Sequence, residues 1–191
     1  MGDSINPVTQ RPRELLELAM SATLLALSLV LHIFKLPYPP APFLKFDGVG
    51  IPLAVLALYS LRASVAVTPL ILAGLMLMGA DIIGATMKVI AELATFLPLA
   101  FLYRRSRGAG GATVVALASR VSSMVAFNLI VAPYWLSLTY GWSYEKSFEA
   151  AIALLPHIAV FNAIAASYVS AIGLSAFNVV SRVLGVSRGT R

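Results

Sequence analysis

The sequence predicts an all-α integral membrane protein with six transmembrane helices, on the grounds of composition, chain length and charge placement. Of its 191 residues, 59% are hydrophobic and only 12% are charged, and the mean hydropathy is +0.87. Soluble domains carry roughly 25% charged and 45–50% apolar residues. We therefore expect much of the apolar surface to face lipid. At about 30 residues for each span and its connection, the chain has room for six spans and none for a large soluble domain.

Six apolar segments predict the six helices. The connection at 35–47 is rich in proline, which fixes φ and removes a hydrogen-bond donor, so it is predicted to be a structured, non-helical outer loop. The second span is short, and we expect it to enter the membrane at an angle or to stop part-way. The predicted spans are 15–34, 49–61, 63–80, 88–103, 112–136 and 148–184, with a glycine-containing connection at 81–87, a turn at 104–111 and an aromatic loop containing Tyr140, Trp142 and Tyr144.

The positions of the basic residues predict the orientation. If six spans alternate, the arginines at 11, 13, 62, 104, 105, 107, 182, 188 and 191 fall on one side. The other side carries Lys35, Lys45 and Lys146, which nearby acidic residues partly cancel. Because arginine and lysine are enriched on the cytoplasmic side, both termini are predicted to be cytoplasmic, in a multi-pass protein of the cell membrane. This gives a cytoplasmic tail at 1–13, a membrane domain at 14–185 and a basic C-terminal tail at 186–191.

The sequence lacks the residue patterns on which most enzymes and ATP-driven motors depend. The chain has no cysteine, and its two histidines, His32 and His157, fall on different helices without metal-ligand spacing. The glycine-rich segment 108–111 lacks the Lys-Ser/Thr pair of a phosphate-binding loop. The sequence therefore predicts no enzyme activity, no metal and no cofactor, and active transport would need a partner or an ion gradient. The charge of +6 follows the membrane-side pattern, so no nucleic-acid partner is predicted.

Several polar residues fall at lipid depth, where each is costly and calls for an explanation. Lys88 and Glu92 lie four residues apart on one helix face, which predicts a local ion pair. The Arg120 side chain is predicted either to extend to the membrane–water interface or to form an ion pair with Glu92 of another helix. The full set is His32, Lys88, Glu92, Arg120, Asn128, His157 and Asn162.

Two asparagines are predicted at a similar depth. Asn128 and Asn162 would lie roughly 10–17 Å below the outer surface. An amide offers a donor and an acceptor together, which suits the edge of a heterocycle with alternating C=O and N–H groups. The alternative is an Asn–Asn hydrogen bond that only holds two helices together. The sequence leaves both interpretations open.

Span one carries small residues on one stripe, Ala19, Ala22 and Ala26, which permit close approach of another helix. The spacing does not decide whether that helix is internal or belongs to a partner protein.

Several short segments together resemble a known family. They are Leu-Lys-Phe-Asp-Gly-Val-Gly-Ile-Pro at 44–52, Asn128 with Ala-Pro-Tyr at 132–134, Pro-His at 156–157 with Phe-Asn at 161–162, the Ala22-x-x-x-Ala26 pair, and Glu-Leu-Ala-Thr-Phe at 92–96. They resemble the S-components of energy-coupling factor (ECF) vitamin transporters, most closely the riboflavin-specific branch. The first is similar to that branch's Leu-Lys-(Ile/Phe)-Asp-Phe-Ser-Asp-Ile-Pro. The chain departs from the branch at Ala165, where a ligand-binding lysine is expected, and it lacks the Lys-Asn of span three.

The resemblance implies a six-helix subunit that binds riboflavin, or a related vitamin, from outside beneath a lid formed by the first loop. The vitamin is a transported ligand, and a membrane T-component and two cytoplasmic ATPases would supply the energy. The implied ligand-binding residues are Leu44, Lys45, Phe46, Asp47, Glu92, Asn128, Tyr134, His157, Phe161 and Asn162, with Ala19, Ala22 and Ala26 docking on the T-component. Ala165 keeps open a different vitamin or a nucleobase-like ligand. The other alternative is a stand-alone ion- or proton-coupled carrier that uses Glu92 and Lys88.

Overall fold

A computed structural model describes residues 7–106 and 108–185. Its elements are α1 (Pro7–Leu31), β1 (Leu36–Tyr38), β2 (Ala41–Phe46), α2 (Gly50–Tyr59), α3 (Leu61–Leu77), α4 (Ile82–Ser106), α5 (Ala109–Tyr140) and α6 (Tyr144–Val183). The predicted C-terminal tail, 186–191, lies outside the described residues, as do residues 1–6 of the predicted N-terminal tail. The rest of that N-terminal segment already belongs to α1, which begins at Pro7.

The helical membrane class is confirmed at the level of length and composition. Among the described residues, four helical segments are long and apolar enough to cross a membrane: Glu14–Leu31, Ile82–Ser106, Ala109–Tyr140 and Tyr144–Val183. The other two helices in the described part of the chain, α2 and α3, have 10 and 17 residues. At 1.5 Å per residue, α2 covers only about half of a ~30 Å hydrocarbon core. Six complete spans therefore remain a prediction.

Helix α2 lies inside the bundle. Eight of its ten residues are buried, and it packs against α1, α3, α4 and α6. A helix that is apolar on all sides is either enclosed by protein or faces lipid, and the burial of α2 shows that it is enclosed. It ends at Ser60, whose backbone is extended and whose hydroxyl accepts a hydrogen bond from the Ala63 N–H at the start of α3. The same hydroxyl donates to Glu17 of α1 at 2.6 Å.

Several predicted boundaries were wrong. Residues 82–87 are helical, because the Asp81 carboxylate accepts a hydrogen bond from the Gly84 N–H (2.8 Å) and allows α4 to start early. Helix α5 continues through Pro133 to Tyr140 and ends where Gly141 adopts a left-handed conformation, with φ of 66°. Helix α6 begins at Tyr144, so only 141–143 separate these helices. Of the turn predicted at 104–111, residues 104–106 belong to α4 and residues 109–111 to α5.

The proline-rich loop forms a β-hairpin, which confirms that this loop is structured and not helical. Strands β1 and β2 are antiparallel, with Leu36 opposite Phe46 and Pro37 opposite Lys45. Phe46 stacks on Phe161 of α6 with ring centroids 4.5 Å apart, and Tyr38 lies 5.9 Å from Phe161. These aromatic contacts hold the hairpin against the middle of α6.

Candidate ligand-binding site

A cavity of about 380 Å³ lies next to the hairpin, between the end of α1, the α3–α4 connection and helices α4, α5 and α6. Its volume is in the range of about 300–1,000 Å³ that is usual for small-molecule sites. Space is available there because α2 begins deep in the bundle. Its first residue, Gly50, lies against Glu92, which is roughly 15 Å along α4 from Ile82.

The cavity wall combines aromatic, thioether and polar side chains. Its aromatic and sulfur-containing residues are Phe43, Met87, Met124, Trp135, Phe161 and Tyr168. Its charged and amide residues, with one histidine, are His32, Lys35, Lys45, Asp47, Asp81, Lys88, Arg120, Asn128 and Asn162. Pockets that bind flat organic molecules typically combine a largely apolar wall with a few placed polar groups.

Asp47 connects the hairpin to the helices. Its carboxylate contacts Lys88 Nζ at 2.6 Å and His32 Nδ1 at 2.9 Å, and it accepts a hydrogen bond from the Val49 N–H. Its backbone carbonyl accepts from the Tyr168 hydroxyl at 2.6 Å. Asp47 is 8% exposed, so these contacts replace the water that a carboxylate would otherwise hold.

His32 lies just past the last residue of α1. Burial lowers its pKa below the usual value, although Asp47 opposes this shift. The ring is therefore neutral at pH 7, and its Nδ1–H donates to the Asp47 carboxylate.

A second ion pair lies deeper and continues the polar chain. Glu92 Oε2 is 3.2 Å from Arg120 Nη1, and Glu92 Oε1 is 3.6 Å from Lys88 Nζ. Arg120 also donates to Thr95 Oγ1 and, through Nε, to the side-chain oxygen of Asn162, both at 3.0 Å. Both pairings considered from the sequence, Lys88–Glu92 and Arg120–Glu92, are present. Two carboxylates and two cations neutralise each other, which makes their burial tolerable.

Both predicted asparagines line this cavity, but their amides are held differently. Asn162 is 2% exposed, donates to the Ile158 carbonyl at 2.8 Å and accepts from Arg120. Asn128 is partly buried and donates to the Met124 carbonyl at 2.7 Å. The two amides do not bond to each other in the described structure. Each amide nitrogen has a second N–H, which could donate a hydrogen bond to a carbonyl oxygen of a ligand.

The other implied ligand residues divide into three groups. Leu44, Lys45, Asp47 and Phe161 line the cavity together with the asparagines. Glu92 does not line the cavity, but its carboxylate contacts two residues that do, Lys88 and Arg120.

Three implied residues lie outside the cavity wall. Phe46 packs behind the wall, on Phe161. His157 lies beside Tyr38, with ring centroids 6.5 Å apart. Tyr134 is 58% exposed and contacts Tyr144.

Several residues of the cavity wall were not predicted, although they lie on the same helix faces as residues that were. On α5, three wall residues share the helix face of Asn128: Val131, Met124 and Trp135, which lie three, four and seven residues away from it. On α6, Tyr168 follows Phe161 by seven residues. Ala165, where the riboflavin-specific branch has lysine, lies on the same face and lines the cavity.

Comparisons with known proteins assign no family. No protein-family model matches the chain, and no curated protein matches it. Within residues 7–106 and 108–185, no group of three or more His, Asp or Glu side chains could hold a metal ion. The site is therefore interpreted from its own geometry.

Proposed function

We propose that this chain is the substrate-binding subunit of an ECF-type importer, and that its cavity captures riboflavin or a related flavin from outside the cell. One observation carries the proposal: aromatic rings and two asparagine amides line a single small-molecule cavity beneath a hairpin. Three of the short motifs that resemble the riboflavin-specific S-components contribute residues to this cavity: Leu44, Lys45 and Asp47 from the first, Asn128 and Ala132 from the second, and Phe161 and Asn162 from the third.

The wall chemistry suits a flat heteroaromatic ring. Phe43 and Trp135, with ring centroids 6.3 Å apart, and Phe161 offer aromatic surfaces on which a ring system can stack. Asn128, Asn162 and the remaining donor capacity of Arg120 can pair with the alternating C=O and N–H groups of a flavin pyrimidine edge. The methionines suit its dimethylbenzene end.

In this proposal the energy for transport comes from other subunits. The chain has no Lys-Ser/Thr phosphate-binding motif. A membrane T-component and two cytoplasmic ATPases would supply ATP hydrolysis, while this chain supplies capture and release.

Riboflavin binding to the purified protein tests the proposal. Stacking on aromatic side chains quenches flavin fluorescence, so titration in detergent should give a saturable loss of emission. Trp135→Ala should weaken binding, whereas Trp142→Ala, on the α5–α6 connection, should not. Unchanged emission at micromolar protein would exclude riboflavin, and the same titration with other vitamins or nucleobases as competitors would then identify the ligand class.

A stand-alone carrier is the second candidate, because a chain of buried carboxylates and cations reaches the cavity. Liposomes that contain this chain alone distinguish the two. The importer-subunit proposal expects no uptake driven by a pH gradient. Gradient-driven accumulation that Glu92→Gln abolishes would establish the carrier instead.

A further inference from the structure

We infer that the ligand carries an anionic oxygen group, a phosphate or a carboxylate, held at the hairpin end of the cavity by Lys35 and Lys45. The inference rests on the proposed function for the ring-binding part of the site. It adds a substrate class, a phosphorylated or carboxylated heteroaromatic molecule. The balance of charges around the cavity supports it.

The inner charges of the cavity are matched. Lys88 contacts the carboxylates of Asp47 and Glu92, and Arg120 contacts Glu92. Two cations thus face two carboxylates, and His32 donates to Asp47 as a neutral ring. This inner network offers no surplus charge to a ligand.

The outer charges are not matched. Lys35 and Lys45 are exposed and line the same cavity, and no carboxylate of the described residues lies within 4 Å of either ammonium group. The remaining acidic residue of the wall, Asp81, accepts from the Gly84 N–H at the start of α4, where the helix dipole partly compensates its charge.

The hairpin brings these two lysines to one end of the cavity. Leu36 pairs with Phe46 across the two strands. Lys35 immediately precedes Leu36, and Lys45 immediately precedes Phe46. Two ammonium groups at such a position attract an anionic oxygen group, since each supplies three donors and a full charge. Lys146 of α6 is not part of the cavity wall and lies 4.6 Å from the centre of the Trp142 ring.

Two flavins that differ by one phosphate test the inference. Riboflavin and flavin mononucleotide share the ring and the ribityl chain, and both report binding by loss of fluorescence. Flavin mononucleotide should bind about 3–10-fold more tightly at low salt, as expected for two exposed ion pairs. Because exposed charges are screened, the preference should shrink in 0.5 M KCl.

Substitutions locate the effect. In the double variant Lys35→Gln, Lys45→Gln the two flavins should bind with equal affinity, so that the preference for the phosphate is lost, whereas Lys146→Gln should keep that preference. Equal affinities for the two flavins, or a preference that survives in the double variant, would overturn this inference and leave the proposed function standing. If neither flavin binds, both fail. The salt dependence of the wild type gives the same answer if the double variant does not fold.

Discussion

Asn128 and Asn162 line one cavity, but their surroundings suit them to different roles. Arg120 and the Ile158 carbonyl fix both ends of the Asn162 amide, so it is positioned before a ligand arrives. Asn128 has one hydrogen bond, to its own helix. Its amide can therefore turn toward a ligand at little cost, and we expect it to contribute more directly to recognition.

Replacing Asn128 by alanine should weaken flavin binding by about 1–2 kcal/mol, because a buried polar group of the ligand would lose its partner. The measurement is the dissociation constant from fluorescence titration. Asn178, which accepts from the Tyr103 hydroxyl away from the cavity, provides the matched control. Asn178→Ala should leave the affinity unchanged, and an equal loss in both variants would assign Asn128 to helix packing alone.

The Arg120–Glu92 pair should be important for stability. Arg120→Met leaves the Glu92 carboxylate with Lys88 as its remaining cation, at 3.6 Å. Breaking one side of a buried pair typically destabilises a protein by about 3–5 kcal/mol. We expect a clear fall in the thermal midpoint of the detergent-solubilised protein. The double variant Arg120→Met, Glu92→Met should recover much of the loss, and a double variant as unstable as Arg120→Met would contradict this account.

Local spacing shows how far these residues could be predicted. The Lys88–Glu92 pair follows from four-residue spacing on one helix, and Arg120–Glu92 was a foreseeable partner choice between two spans. The Asp47–Lys88 contact was not foreseeable, because it joins residues 41 positions apart, with α2 and α3 between them. No local pattern encodes that approach.

At the scale of elements, the start of α2 deep in the bundle leaves room for the site. A Cβ atom at position 50 would overlap the Glu92 carboxylate and touch Val169. Glycine thus lets α2 approach α4 and α6 closely and keeps the region above it free for a ligand. Gly50 stands where the motif of the riboflavin-specific branch has aspartate, and this close packing explains the glycine.

Gly50→Ala should destabilise the protein by about 1–3 kcal/mol through overpacking. Gly111→Ala is the control: Gly111 is helical and has open space around it, so alanine should leave stability unchanged or raise it by up to about 1 kcal/mol. The thermal midpoints of the two variants would be compared. A Gly50→Ala protein as stable as Gly111→Ala would show that Glu92 can move aside.

The existence of elements was easier to predict than their ends. The prolines at 37, 39, 40 and 42 excluded a helix, and a hairpin is present. The start of α4 was misjudged because Asp81 caps it, although Gly84 suggested a loop. The predicted end of α5 at 136 already lay beyond Pro133, and the helix continues to Tyr140, since a membrane helix can pass a proline when its surroundings satisfy the freed carbonyl.

At the scale of the whole molecule, α1 is the least covered of the long helices. Only 6% of its membrane-spanning window is buried, and Ala19, Ala22 and Ala26 are all exposed. The small-residue stripe therefore does not pack against another helix of the described structure. In the proposed importer this face meets the T-component, since small residues permit close helix approach.

Ala22→Leu should leave flavin affinity unchanged and reduce association with the T-component, because the larger side chain keeps the helices apart. Ala118→Leu, an exposed alanine on α5, is the matched control. Co-purification with a tagged T-component and uptake by the assembled transporter give the readout. Wild-type assembly by Ala22→Leu would assign the stripe to lipid contact.

The enclosed position of α2 has a consequence for biosynthesis. A ten-residue segment is too short for the insertion machinery to recognise as a span, and its apolar sides need neighbours that are synthesised later, α4 and α6. We expect α2 to reach its final place only after α6 has left the ribosome. Nascent chains truncated before residue 144 should therefore expose the 50–59 segment to proteases, and full-length chains should protect it.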